Sequence, residues 1–578
     1  MNLKNLPLAA VCAAMCLLTL WSCKPDAPEF KRTENIVAIR LVDEPDRLNP
    51  ILSTQSYARY VFEHIFQNLN DVDQQSYELV PMLASLPEVS EVGEDGATSY
   101  RYRLNENAKW PDGSAVTSAD VAFSVKALLN PLVPAGRVRS FYTDITDLII
   151  VDERTFSIEL GQAYFLTDYA LAALYVYPEY AYDPDGLMAD VTVAELADAD
   201  NAARLAEENP NLKTFAEGFQ SFETSHEPGK VVGSGAYELT NWEAQQRIAL
   251  SRRDDYWADG TDNLSLSALP DGLEFEIIPD AQTAVVALQD ELIDVMVDLD
   301  PERYVEMSQD ELMTKKYNFE TEPSFQMYSI ILNMDDPMLG DANTRRALAH
   351  LMNVDLLNEE YYNNMGRRSS NPVLPVRTYY DERLALIDYD QAEAERLLTE
   401  AGWADTNGDG TLDRDGEEFE LNLLLFNTPI GEAIGQVMRE SCRQAGISLN
   451  TETMGGRALY GKLGEGDYQM GIYAQGFQPS PDEFSQSYLT TSVPPNGTNR
   501  ARFGDETSDA LINQIRVTVD AEDRVPLYKE MQAIFYQETP MIPLFSPMMR
   551  LVYSKRFEAQ TSSITPGLDL ANFKHLQE

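Results

Sequence analysis

Trp110-Pro111-Asp112-Gly113-Ser114, followed by Thr117-Ser118-Ala119-Asp120-Val121-Ala122-Phe123-Ser124-Val125, is a turn that runs into a helix start. Pro111 and Gly113 supply the turn dihedrals. Thr117, with Asp120 three residues on, forms a capping-box pattern ahead of an amphipathic run. Just upstream, Tyr100-Arg101-Tyr102-Arg103-Leu104 alternates as a half-buried strand does. Strand, turn and capped helix in this order predict a mixed α/β fold. Nearer the N-terminus, Ile36-Val37-Ala38-Ile39-Arg40-Leu41 reads as a strand, Leu48-Asn49-Pro50 as a break, and a helix is expected from about Tyr57 to Leu69.

The chain around this block has 578 residues, enough for about three to five structural units. Hydrophobic residues make up 44% and charged residues 24%, which excludes a disordered or fibrous protein. Charge is the unusual quantity: 94 Asp and Glu against 44 Lys and Arg leave a formal net charge of −50. Such a chain repels phosphate backbones, so nucleic acid is not an expected partner. Lysine is scarce, 13 against 31 Arg. A carboxylate-rich, lysine-poor surface fits a protein bathed in salt, and equally an acidic extracytoplasmic protein from an ordinary host.

Lys4 precedes an uncharged stretch, Asn5 to Ser22, that ends at Cys23. A basic start, an apolar centre and a small residue before the cut read as a signal peptide over residues 1–22, too short for a comfortable membrane span. Leu20-Trp21-Ser22-Cys23 resembles the lipobox of bacterial lipoproteins, with Cys23 as the lipidated residue and Trp21 an atypical filler; a chance cysteine behind an ordinary signal peptide is the alternative. Residues 23–35 then read as a tether between lipid and folded body. Cys12 and Cys16 fall in the cleaved segment, which leaves Cys442 as a lone thiol in a helical stretch, a small buried residue and not a nucleophile.

Signs of catalysis are thin. The four histidines, His64, His226, His350 and His575, lack metal-ligand spacing, and no nucleophile elbow, P-loop or dinucleotide fingerprint occurs. Gly233-Ser234-Gly235-Ala236-Tyr237 is expected to be a tight turn that uses glycine at positive φ. No enzyme activity and no cofactor are expected. The acidic stretch from Glu195 to Glu208 reads as one solvated helix. Asp405-Thr406-Asn407-Gly408-Asp409-Gly410-Thr411-Leu412-Asp413 places oxygen donors at calcium-loop spacing through Asp405, Asn407, Asp409 and Asp413, but Gly416 stands where an EF-hand needs Glu; a hairpin turn is the favoured reading.

Several blocks in order resemble the family 5 extracytoplasmic solute-binding proteins of oligopeptide and dipeptide ABC importers. They are Leu48-Asn49-Pro50, Pro81-Met82-Leu83-Ala84, the Trp110 to Ser124 block, Gly233 to Tyr237 with Asp255-Tyr256-Trp257, Asp341 with Arg345-Arg346-Ala347-Leu348, Ala392 to Trp403, and Pro540-Met541-Ile542-Pro543-Leu544. Two departures stand out. Glu291 occupies a position where the family usually has Gly. Gly476-Phe477-Gln478-Pro479-Ser480-Pro481-Asp482 resembles the family's cleft segment, yet Ser480 stands where peptide binders carry the Asp that accepts the ligand's ammonium, with Asp482 two residues on.

The resemblance implies an α/β periplasmic-binding-protein type II fold of two lobes with an extra inserted domain, three domains in all. Domain I would be discontinuous (residues 36–78, 228–310 and 545–578), domain II would span 79–227 and domain III 311–544. It also implies a lipid-anchored monomer outside the cytoplasmic membrane that captures a peptide or peptide-like ligand between its lobes and passes it to ABC permease subunits. By position, Thr54, Gln55 and Ser56, with Phe477, Gln478, Ser480 and Asp482, are the expected ligand contacts. A peptide-sensing or chaperone-like lipoprotein without import, and an extracytoplasmic peptidase, are the alternatives.

Overall fold

The computed structural model describes residues 30–576 apart from 54, 94, 95, 163 and 298. The signal peptide, Cys23 and most of the tether, and also Thr54, lie outside the described residues. The strand Ile36–Leu41 pairs in parallel with Gly272–Ile277, from Ile36 opposite Gly272 to Leu41 opposite Ile277. Both belong to a sheet of 12 strands among the described residues, in which parallel and antiparallel neighbours mix. In the middle of that sheet lies Met541–Ser554, a strand of 14 residues buried almost throughout.

This strand joins three hydrophobic cores. Met541, Ile542, Leu544 and Phe545 pack into a core built from residues between Ile330 and Phe535. Met549, Leu551 and Tyr553 pack into another that holds Val37, Ile39, Phe275 and the Trp110 block. Val552 reaches a third and smaller one with Leu288 and Met296. The strand pairs first with Gln326–Leu332, then with Tyr317–Pro323 and Val295–Val297. A proline cannot donate to a ladder, and the register shifts between Tyr328 and Ser329, where Pro543 lies opposite Ser329.

The block that opens the sequence folds as its residues dictate. Trp110 N donates to Ser114 O (2.9 Å) and Gly113 adopts φ +85. The helix Ser118–Leu129 follows, with the Asp120 carboxylate accepting from Thr117 N (2.8 Å) and Thr117 Oγ1 (2.9 Å). A four-stranded antiparallel sheet, containing Thr98–Arg103 and Thr155–Leu160, stands beside it.

Three local expectations change. The helix after Leu48-Asn49-Pro50 is only Ser56–Phe62, because the carbonyls of Ile65 and His64 turn to accept from Gly235 N (2.8 Å) and Tyr237 N (3.2 Å). Gly233 and Gly235 are therefore not positive-φ turn residues; they let two backbones touch, since a Cβ would sit 2.1 Å from Ile65 O at Gly233 and 2.4 Å from His64 O at Gly235. The acidic helix is two, Val193–Ala197 and Ala199–Glu208, with the Asp198 carboxylate capping the second by accepting from Asn201 N (2.8 Å).

Glu291 adopts φ +62, a left-handed conformation that glycine enters without penalty. Here its carboxylate accepts from Lys31 N (2.6 Å) and pairs with Lys316. Three residues on, buried Asp294 accepts from Ala38 N (3.0 Å) and is gripped by Arg556 at 2.9 Å, tying the first strand to the C-terminal segment.

Candidate functional site

The two large cores meet along a seam. Phe325, Met327 and Leu374 form a small apolar cluster apart from both, against which Tyr77, Val376, Phe477 and Ile564 pack. The rings of Tyr77 and Phe325 meet edge to face at 5.4 Å. Gln75 Nε2 donates to Thr561 O (2.8 Å), and Thr561 Oγ1 bonds the Glu322 carboxylate.

The strand Met470–Gly476 delivers the segment 477–482 to this seam. Phe477, half-buried, donates its N–H to Phe325 O (2.8 Å). Gln478 is exposed and Ser480 half-buried. Asp482 is 6% exposed and forms an ion pair of 2.7 Å with Arg377. The same guanidinium donates to Gln478 O (2.7 Å) and Pro479 O (2.9 Å) and lies 5.0 Å from the Phe325 ring centre. Asp482 is also held by its backbone: its N–H donates to Tyr379 Oη (2.9 Å), and Tyr528 Oη donates to its carbonyl (2.8 Å). Those two rings stack at 4.1 Å. Burial works against the Arg377 charge, but Asp482 together with the hydroxyls of Tyr379 and Tyr528 holds the guanidinium above its ordinary value. Burial also pushes the Tyr379 hydroxyl far up, so it stays a neutral hydrogen-bonding group.

Gln55 and Ser56 are exposed where the helix Ser56–Phe62 begins, and Gln55 Oε1 accepts from Asp46 N (3.0 Å). That helix reaches the seam through Arg59, whose guanidinium donates to Thr565 O (2.9 Å), next to Ile564. The structure thus gathers Phe477, Gln478 and Asp482 around Arg377, a residue the sequence did not single out. Arg377 follows Pro375-Val376 with nothing in its own neighbourhood to point 105 positions ahead to Asp482.

A second tie crosses between the cores farther along. Phe165, 4% exposed, packs in the core of residues 330–545 although its neighbours Thr155–Leu160 belong to the other. Its N–H donates to Arg516 O (3.3 Å), and the Arg524 guanidinium lies 4.8 Å from its ring centre.

In the Asp405 loop the carboxylates serve the turn itself. Asp405 accepts from Gly408 N (2.6 Å) and Gly410 N (3.0 Å), Asp409 from Thr411 N (2.8 Å), and Asp413 from Thr406 N (2.8 Å) and its hydroxyl. Asn407 Nδ2 donates to Asp409 (2.9 Å). Among the described residues no three His, Cys, Asp or Glu side chains converge as metal ligands.

Known proteins share this architecture. Oligopeptide-binding protein AppA of Bacillus subtilis is 22% identical over 547 residues, covering 92% of this chain and 90% of its own length. Di/tripeptide-binding protein 2 of Pseudomonas aeruginosa is 24% identical over 536 residues, 90% of each. The crystal structure of NikA from Brucella suis in complex with Fe(III)-EDTA superposes with a TM-score of 0.74 at 19% identity, covering 94% of this chain and all of that one (100%), and so shares the periplasmic-binding-protein fold. The family described as bacterial extracellular solute-binding proteins, family 5 Middle, matches residues 78–496, and the chain belongs to that family.

Proposed function

We propose that this protein is the substrate-binding lipoprotein of an ABC importer, capturing peptides or peptide-like solutes outside the cytoplasmic membrane and delivering them to a permease. Family membership over residues 78–496 is the observation that carries this reading. The names of the two curated relatives, both peptide binders, and the aromatic seam between cores support it. In this reading the two large cores belong to two lobes and the chain divides into three domains: I, residues 36–78, 228–310 and 545–578; II, 79–227; III, 311–544. Cys23 carries the lipid, and the mature chain acts as a monomer.

Ligand would lie along the seam, its backbone paired as an added strand, with closure about the shared strand burying it. Thr54, Gln55 and Ser56 would meet it from one lobe, Phe477, Gln478 and Ser480 from the other. Asp482 spends its charge on Arg377, so it supports the segment 477–480 and does not by itself clamp a ligand ammonium. Mass spectrometry of material released from the purified protein, with thermal denaturation across a peptide library, tests the proposal. A retained peptide or a ligand-dependent rise in Tm is expected; no cargo and no stabilisation would overturn it.

A further inference from the structure

The tether joins the folded body at one face. Phe30 lies seven positions after Cys23, a reach of at most about 25 Å of extended chain. Lys31 N donates to the Glu291 carboxylate (2.6 Å), Lys31 Nζ donates to Asp290 O (3.2 Å), and Arg32 Nη1 donates to Leu292 O (3.2 Å). Glu291 also pairs with Lys316, whose carbonyl accepts from Lys555 N (2.8 Å), and Lys555 Nζ donates to Thr314 O (2.6 Å). Lys31, the turn at 290–292, the helix Glu311–Lys316 and Lys555 therefore form one continuous surface.

Two observations set this surface apart. Leu312 is 73% exposed, Leu292 60% and Val286 53%. Leu312 shares a helix face with Lys315 and Lys316, and Val286 stands one turn before Asp290, whose N–H donates to its carbonyl (2.9 Å). Four of the chain's 13 lysines, Lys31, Lys315, Lys316 and Lys555, meet here. Asp290, Glu291, Asp310 and Glu311 beside them match these charges, on a chain whose formal net charge is −50. An anionic bilayer repels the acidic surface as a whole, and a charge-balanced face with bare leucines is the one that can approach it. Lysine stems lie along apolar surface while their ammonium groups stay among headgroups, and leucines beside them enter the interface.

We propose that this face, through Leu292, Leu312, Lys31, Lys315 and Lys555, rests on the anionic phospholipid surface that bears the lipid of Cys23. The proposal rests on the reading of Cys23 as the lipidated residue. Contact there leaves the apolar cluster of the seam free, since the seven residues Tyr317–Pro323 separate Lys316 from the neighbourhood of Phe325 by roughly 20 Å of strand.

Fluorescence quenching tests the docking on the full-length lipidated protein in phosphatidylcholine vesicles with and without phosphatidylglycerol. Leu312→Cys carries an environment-sensitive dye, and nitroxide-labelled lipids quench a dye that enters the interface. Phe222→Cys is the reference: Phe222 is 66% exposed and stacks on His226, which bonds Asp46 O (2.9 Å) beyond the far end of the strand Ile36–Leu41. In the anionic vesicles the Leu312 dye is expected to be quenched at least about threefold more than the Phe222 dye, and to lose that excess when Lys315→Glu and Lys555→Glu are combined. Equal quenching of the two dyes, or none, in protein that floats with the vesicles overturns the docking and leaves the Cys23 reading standing. An excess that survives the double substitution, or is the same in phosphatidylcholine alone, overturns the assignment to anionic lipid. An intact mass without lipid on Cys23 overturns the anchor reading and the docking with it. Circular dichroism of the variants confirms that they are folded.

Discussion

Arg377 and Asp482, 105 positions apart in sequence, form a 2.7 Å ion pair in which each side chain is at most 6% exposed. Removing one partner of such a pair strands a buried charge and costs about 3–5 kcal/mol, whereas removing both costs less. Asp482→Ala is therefore expected to lower the unfolding free energy by about that amount. Arg377→Met with Asp482→Leu is expected to lose less, because its residual cost is that of the unpaired carbonyls of Gln478 and Pro479. Urea unfolding of both variants checks the order; a double variant less stable than Asp482→Ala would show that the pair is not what holds the segment.

Glu63 links stability to pH. In the folded chain its carboxyl titrates near 7 against an ordinary 4.5, so between those values the native state binds more protons than the unfolded one. Its protonated form is tolerated without cost below about 4.5, and the native state loses stability as pH rises through 7. Arg59 opposes the shift, while Asp569 and Asp71 reinforce it; Tyr175 lines the same space as a neutral group. Glu63→Gln is expected to raise Tm relative to the parent by on the order of 1–3 °C at pH 8 and to leave it nearly unchanged at pH 4.5. A gain that is the same at both pH values would assign the effect to something other than this carboxyl.

The glycine contact makes a steric prediction. Gly235→Ala would place Cβ 2.4 Å from His64 O and 2.7 Å from Ile65 O, both backbone atoms that cannot rotate away. A loss of about 1–3 kcal/mol or more is expected from such overpacking. Gly461→Ala, in the helix Gly456–Glu465 with nothing within 4 Å, is expected to gain about 0.5–1 kcal/mol. Parallel denaturant titrations compare the two; equal effects would contradict the packing argument.

Cys442 is fully buried, and burial pushes its thiol up to about 12. Ellman's reagent is expected to leave it unmodified in the native protein and to react with it in denaturant. Rapid native labelling would contradict its place in the core.

Phe165 fastens one core to the other. Phe165→Ala is expected to cost about 3–5 kcal/mol at the site and to enlarge the radius of gyration of the ligand-free protein in X-ray scattering. An unchanged radius would remove Phe165 from any role in holding the cores together.

The sequence carried the local elements well. The turn at Trp110, the Thr117–Asp120 cap and the strand Ile36–Leu41 all follow from residue types within a few positions of one another. The helix after Leu48-Asn49-Pro50 ends earlier than its residues predict because its end is set by Gly235 and Tyr237, about 170 positions away, drawing the carbonyls of Ile65 and His64 out of the helical pattern. The same separation hid the site. Phe477 and Asp482 stood out by position in a familiar segment, but Arg377, Tyr379 and Tyr528 are ordinary residues until folding brings them around Asp482. Glu291 gave the opposite lesson: its departure from glycine was visible, and its φ of +62 shows what the position demands of the backbone.

The place of Met541–Ser554 in the chain governs when the protein can fold. A chain that emerges N-terminus first lacks the strand shared by all three cores until nearly its whole length is out. Collapse of either large core before then leaves open edges on Gln326–Leu332 and Val295–Val297, so the native sheet closes last. One strand thus sets the order: the native sheet cannot close until Met541–Ser554 is available to pair.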